Sequence, residues 1–243
     1  MLYLDLMKKV LTNSIYEDPN ISPWQPPSYI RKLRENGQDW PLIAHTMIGM
    51  KRLDNLQYCV ERVIAEGVPG DLIETGVWRG GAAIFMRAIL KAHEVTNRRV
   101  FVADSFEGLP APNPRQFPQD ADDSHHENAY LAVPLEEVKM NFKRYELLDE
   151  QVIFIKGWFR DTLPEIPTDL FAVLRLDGDM YESTWDALTN LFPKLSVGGY
   201  VIIDDYKVVP GCCAAVEDFR RKHGIVDEIH EIDWAGVYWQ RTC

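Results

Sequence analysis

The chain has 243 residues, 46% of them apolar, so it can bury one full α/β core and needs no second domain. Its formal charge of −11, with no Lys/Arg-rich block, argues against a nucleic-acid backbone or an anionic membrane surface as partner, because both require a basic patch. Apolar runs fall short of the roughly 18 residues of a membrane span, and Met1-Leu-Tyr-Leu-Asp5 lacks the regions of a signal peptide, so the expected location is the cytoplasm. Cys59, Cys212, Cys213 and Cys243 show no Cys-x-x-Cys spacing and read as reduced thiols.

The first forty residues, broken by Pro19, Pro23, Pro26 and Pro27, read as a flap or a subunit contact. Leu53, Leu56, Val60, Val63 and Ile64 then recur at spacings of three and four, which predicts a helix ending near Gly67. From Asp71 onward strands alternate with helices, the signature of a doubly wound parallel sheet in one domain spanning residues 1–243. The predicted strands are Asp71–Glu74, Val100–Asp104, Val152–Ile155, Phe171–Asp177 and Tyr200–Asp204, closed by Val226–Ile232 and Gly236–Gln240. Helices are predicted over Ala82–His93, Leu135–Arg144, Ser183–Phe192 and Ala214–Lys222. Leu109–Ala129, with Pro110, Pro112, Pro114 and Pro118, reads as a mobile lid or as an uninvolved surface excursion. Its His125-His126 pair with Asp122 and Asp123 is a poor transition-metal site, because adjacent histidines point apart on most backbones.

Asp71-Leu-Ile-Glu74-Thr75-Gly76-Val77-Trp78-Arg79-Gly80-Gly81 runs from a strand through a glycine-rich turn into a helix. A dinucleotide fingerprint would place glycine where Trp78 stands. An acid closing the strand before Gly-x-x-x-Gly instead matches S-adenosylmethionine binding in class I, Rossmann-like methyltransferases. Glu74 then lies near the amino-acid end of the cofactor, with the turn amides approaching its carboxylate. Asp104, closing the next strand before Ser105, can accept both ribose hydroxyls or cap a helix. After the third strand, Gly157-Trp158-Phe159 offers an aromatic to flank adenine, with core packing as the other role for Trp158.

Three carboxylates close two later apolar runs: Asp177, Asp204 and Asp205. In open α/β sheets the ligand crevice lies beyond the carboxyl ends of the strands. Three acids converging there repel unless a cation holds them, and an all-oxygen set suits Mg²⁺. Taken singly, Asp205 fits a cap and Asp177 a polar turn. Arg175, inside an otherwise apolar strand, reads as an ion-pair partner.

Together these stretches resemble the macrocin and mycinamicin sugar O-methyltransferase family, often called TylF-type. The matching strings are Tyr3-Leu-Asp-Leu, Ala44-His-Thr-Met-Ile-Gly-Met-Lys-Arg-Leu, Glu74-Thr-Gly-Val-Trp-Arg-Gly-Gly, Ala103-Asp-Ser-Phe, Gly157-Trp-Phe, Leu176-Asp-Gly-Asp and Ile203-Asp-Asp-Tyr. The resemblance implies Mg²⁺-dependent methylation of a deoxysugar hydroxyl on a glycosylated natural product, with Asp177, Asp204 and Asp205 as metal ligands. It also implies Asp179 as general base, and Thr46 and Met47 beside the cofactor. Asp179 has competing roles against the following helix or on the metal. The expected partner is a small glycoside, and the expected assembly a homodimer. Other classes compatible with the acids are a catechol or coenzyme A ester methyltransferase, and a glycosyltransferase using Asp177-Gly-Asp179 as an Asp-x-Asp motif. The glycosyltransferase would leave Glu74 and Asp104 without a role.

Overall fold

The computed structural model describes residues 2–243. Seven strands form one sheet: β1 (Asp71–Thr75), β2 (Val100–Asp104), β3 (Val152–Lys156), β4 (Phe171–Leu176), β5 (Leu195–Ile203), β6 (His230–Glu231) and β7 (Val237–Gln240). Their order is β3-β2-β1-β4-β5-β7-β6, parallel through the first five, with β7 antiparallel to both neighbours. β1 and β4 are fully buried, as expected of strands with helices on both faces. The order reverses between β1 and β4, the topological switch point where such sheets open a crevice.

The helices are α1 (Leu2–Leu11), α2 (Arg31–Glu35), α3 (Gly49–Ala65), α4 (Gly81–Ala92), α5 (Leu135–Arg144), α6 (Phe159–Thr162), α7 (Tyr181–Leu191) and α8 (Pro210–His223). On one face, residues such as Leu4, Leu53, Leu56, Ile84, Phe85 and Phe142 pack against the sheet; on the other, Leu188, Leu191, Val216 and Phe219 do so with Trp239. No helix among the described residues is long and apolar enough to cross a membrane.

Several boundaries differ from the sequence reading. β5 begins at Leu195, not Tyr200, and tolerates Gly198 and Gly199 because its pairing with β4 is irregular there. The strand expected over Val226–Ile232 shrinks to His230–Glu231. α8 starts at Pro210, where a missing amide costs nothing. Between α1 and α3 the chain is mostly irregular and is organised by buried Arg34. Its guanidinium donates to Asp39 at 2.9 Å and to the carbonyls of Thr12 at 2.9 Å and Asp18 at 2.8 Å.

Strand register builds the site. Thr75 pairs with Ala103 and Leu176, and Leu176 pairs with Ile203, so the residues that follow each strand stand in one row. Gly76, with φ +76°, approaches Asp177 so closely that a Cβ there would collide with the Asp177 carbonyl. That contact requires glycine.

Candidate active site

The row opens into a cavity of ≈370 Å³. Its wall includes Thr46, Met47, Glu74, Gly76, Val77, Trp78, Asp104, Ser105, Gly157, Trp158 and Phe159, together with Asp177, Asp179, Asp204 and Asp205. Thr75, Arg79 and Gly80 are not on it. Thr75 is buried behind the turn. Arg79 turns away and donates to the Ala44 carbonyl at 2.9 Å, with its guanidinium 4.2 Å from the Trp78 ring centroid. Gly80, with φ +85°, supplies the left-handed residue before α4.

The turn is held from the neighbouring strand. Asp104 accepts the amides of Val77 and Phe106, one on each oxygen, both at 2.7 Å. The carboxylate expected to meet a ribose thus also fixes the turn, and Oδ1 additionally accepts the Ser105 hydroxyl at 3.4 Å. Glu74 has one oxygen on Arg175 at 2.6 Å, and its other oxygen, Oε2, is buried without a partner. Burial pushes this carboxyl up to about 8, against the pull of Arg175. His45, on the same wall, lies 2.6 Å from the Tyr145 hydroxyl; burial, with Arg144 and Arg79, lowers it to about 4, so it is neutral at pH 7.

Beyond β4 and β5 the acids converge. Single oxygens of Asp177, Asp179 and Asp205 lie within 4.8 Å of one another. Asp204 stands beside them with one oxygen on Arg175 and the other on Arg52. Arg175 also donates to Asp177 at 2.9 Å, and Arg52 to Asp233 at 3.1 Å. The arginine read from sequence as an ion-pair partner therefore joins three carboxylates, whereas Arg52 was missed because in α3 it reads as one charge on a polar face. Two guanidiniums face six carboxyls: Glu74, Asp177, Asp179, Asp204, Asp205 and Asp233. Burial and neighbouring negative charge push Asp179 up to about 7 and Asp205 well above the carboxylate range. Asp205 Oδ2 is buried without a hydrogen-bond partner. An orphaned oxygen in an acid-rich, all-oxygen donor set fits a hard divalent cation. Asp179 itself has φ +54°, an uncommon conformation for a side-chain-bearing residue.

The Leu109–Ala129 segment contributes Leu109, Pro110 and His125 to the wall. It is anchored by Asp120, whose oxygens accept the amides of Tyr181 at 2.7 Å and Glu182 at 3.0 Å at the start of α7. His125 is oriented by Asp123, 2.7 Å from its Nδ1.

A doubly wound sheet with an acid-x-Gly-x-x-x-Gly turn at its switch point defines a class I S-adenosylmethionine-dependent methyltransferase. Residues 22–241 match the Macrocin-O-methyltransferase (TylF) family, and the chain belongs to it as an O-methyltransferase. It is 60% identical, over 100% of its length and 93% of the relative's, to an 8-demethyl-8-(2,3-dimethoxy-alpha-L-rhamnosyl)-tetracenomycin-C 4'-O-methyltransferase of Streptomyces olivaceus. It is 52% identical, over 100% and 97%, to a mycinamicin III 3''-O-methyltransferase of Micromonospora griseorubida. Among solved structures, the O-methyltransferase NovP superposes with a TM-score of 0.95 at 58% identity, covering 100% of this chain and 99% of that one.

Proposed function

We propose that the protein methylates a hydroxyl of a deoxysugar on a glycosylated natural product, using S-adenosylmethionine and Mg²⁺. The observation that carries the metal is the acid cluster with its unpartnered Asp205 oxygen. Relatives named for methylating antibiotic glycosides support the acceptor class. Asp177, Asp204 and Asp205 would hold the ion; the oxygens of Asp204 each keep a lone pair beside their arginine bonds. Asp179, in the same cluster, is the base.

The cofactor supplies an electrophilic methyl group, and a divalent cation supplies Lewis acidity that makes a sugar hydroxyl more acidic. Glu74 and the β1 turn orient the amino-acid end of the cofactor, and Asp104 its ribose. Asp179 takes the hydroxyl proton as the oxygen attacks. Positioning contributes on the order of 7–11 kcal/mol, more than the roughly hundred- to ten-thousandfold of the base. Orientation by the acid cluster therefore outranks proton abstraction.

Radiolabelled methyl transfer to a deoxyhexoside and to a catechol, with and without chelator, tests the reading. Transfer to the glycoside that chelation abolishes and Mg²⁺ restores is the expected result. Full activity after metal removal, or preference for the catechol, would overturn it. Asn at Asp177 or Asp205 should depress kcat while leaving adenosylhomocysteine affinity nearly unchanged.

A further inference from the structure

We propose that Trp24 and Trp234 form an aromatic subsite at the mouth of the cavity that grips the uncharged, apolar ring system to which the acceptor sugar is attached. The inference rests on the glycoside reading above and adds the residues that recognise the aglycone.

Both indoles are on the cavity wall, yet Trp24 is 60% exposed and Trp234 is 42% exposed. Neither fills the core, in contrast to the fully buried Trp239. They come from distant parts of the chain and meet the same stretch of it. Trp234, in the turn between β6 and β7, donates from Nε1 to the Asn36 carbonyl at 2.7 Å. Trp24 stands edge-on to Trp40, with ring centroids 4.7 Å apart. Residues 37–40 between these anchors belong to the same wall, and Val208 adds another exposed apolar side chain there. Rigid rings, fixed at one edge and open to the cavity, suit stacking on another ring.

Charge decides what kind of ring system fits. Arg52 is committed to Asp204, Asp233 and the Gly37 carbonyl, and Arg160 to Glu182 at 3.2 Å. His45 is neutral at pH 7, and His125 is paired with Asp123. Every cationic side chain on the wall therefore already faces a carboxylate, so apart from the cation proposed at the acid cluster a diphosphate would find no free side-chain counter-charge. The subsite selects a neutral aglycone over a nucleoside diphosphate, which requires a glycosyl-transfer reaction to supply the substrate before methylation.

The test compares three acceptors in a methyl-transfer assay: a deoxyhexoside of methylumbelliferone, the methyl glycoside of the same sugar, and its nucleoside-diphosphate form. Trp24→Ala and Trp234→Ala should each raise KM for the aryl glycoside by about tenfold, the scale of one lost stacking contact. Their kcat, their KM for the methyl glycoside and their adenosylhomocysteine affinity should stay near wild type, and Trp234→Phe should recover most of the loss. Unchanged KM for the aryl glycoside in both alanine variants would overturn the inference, as would wild-type preference for the nucleotide sugar. An equal rise for both glycosides would move the contact from aglycone to sugar and overturn it as stated. Absence of transfer by the wild type to any of the three would instead sink the glycoside reading and this inference with it.

Discussion

Arg175 of β4 donates to Glu74 of β1 at 2.6 Å, so a single buried guanidinium ties the cofactor turn to the acid cluster, where it also holds Asp177 and Asp204. Removing it would leave several carboxylates facing one another without compensation. Arg175→Met should therefore destabilise the protein by about 3–5 kcal/mol in urea unfolding, since breaking a buried pair strands its partner charges. Arg175→Lys should be intermediate, because one ammonium cannot reproduce the planar fork. A loss below about 1 kcal/mol for Arg175→Met would mean the carboxyls are already protonated or otherwise compensated.

The same crowding sets a pH dependence. Burial and the Asp177 charge push Asp179 up to about 7, whereas an unfolded aspartate titrates near 3.9. Between these values the folded state binds more protons, so this contribution to stability is present at low pH and is lost as pH rises through about 7. With chelator present, the protein should be less stable at pH 8 than at pH 6, by about 1 kcal/mol, since only about one pH unit of the titration falls in that window. Mg²⁺ should stabilise more at pH 8 than at pH 6, and Asp179→Asn should flatten the profile. His45, lowered to about 4, acts with the opposite sign, but only below its unfolded value near 6.5. Stability that rises from pH 6 to pH 8 without metal would contradict the assignment.

Strand ends were legible because short Val/Ile/Leu runs have few alternatives in an α/β chain. Once β1, β2, β4 and β5 are placed, the register aligns Gly76, Asp104, Asp177 and Asp204 without further information. The direction of each side chain was less legible. Arg79 looks like part of a ligand turn, but it turns toward the Ala44 carbonyl, and Asp204 looks equivalent to Asp205 until Arg52 arrives from α3, 152 positions earlier. Trp24, Trp40 and Trp234 carry no periodicity, so only the fold brings them to one rim. Asp120 gave no signal as a cap because it lies 61 residues from the amide it accepts at Tyr181.

Asp104 and Glu74 should separate turn support from cofactor contact. Asp104→Ala removes the acceptor for Val77 and Phe106 as well as any ribose bonds. Its adenosylhomocysteine affinity should fall by at least about 1.5–3 kcal/mol in calorimetry, the range for hydrogen bonds to a charged group. Asp104→Asn keeps one acceptor oxygen and should lose less. Glu74→Gln retains shape but replaces a carboxyl whose Oε2 has no protein partner with an amide that cannot ionise against a cofactor ammonium, and it too should weaken binding. Wild-type affinity in both Asp104→Ala and Glu74→Ala would place the cofactor elsewhere.

Finally, the Leu109–Ala129 segment is expected to close over bound ligands about the anchor at Asp120. Both Asp120 oxygens cap α7, and the residue is buried, whereas Arg115 on the preceding stretch is exposed. Trypsin should therefore cut after Arg115 in the free protein, and more slowly once adenosylhomocysteine, Mg²⁺ and an acceptor glycoside are added. Asp120→Ala should cost about 1–2 kcal/mol of stability as a lost cap, and should raise the cleavage rate beyond what that loss predicts if the anchor also sets the position of the segment. Equal cleavage with and without ligands, at concentrations where calorimetry shows binding, would mean that the segment is fixed surface and does not gate the site.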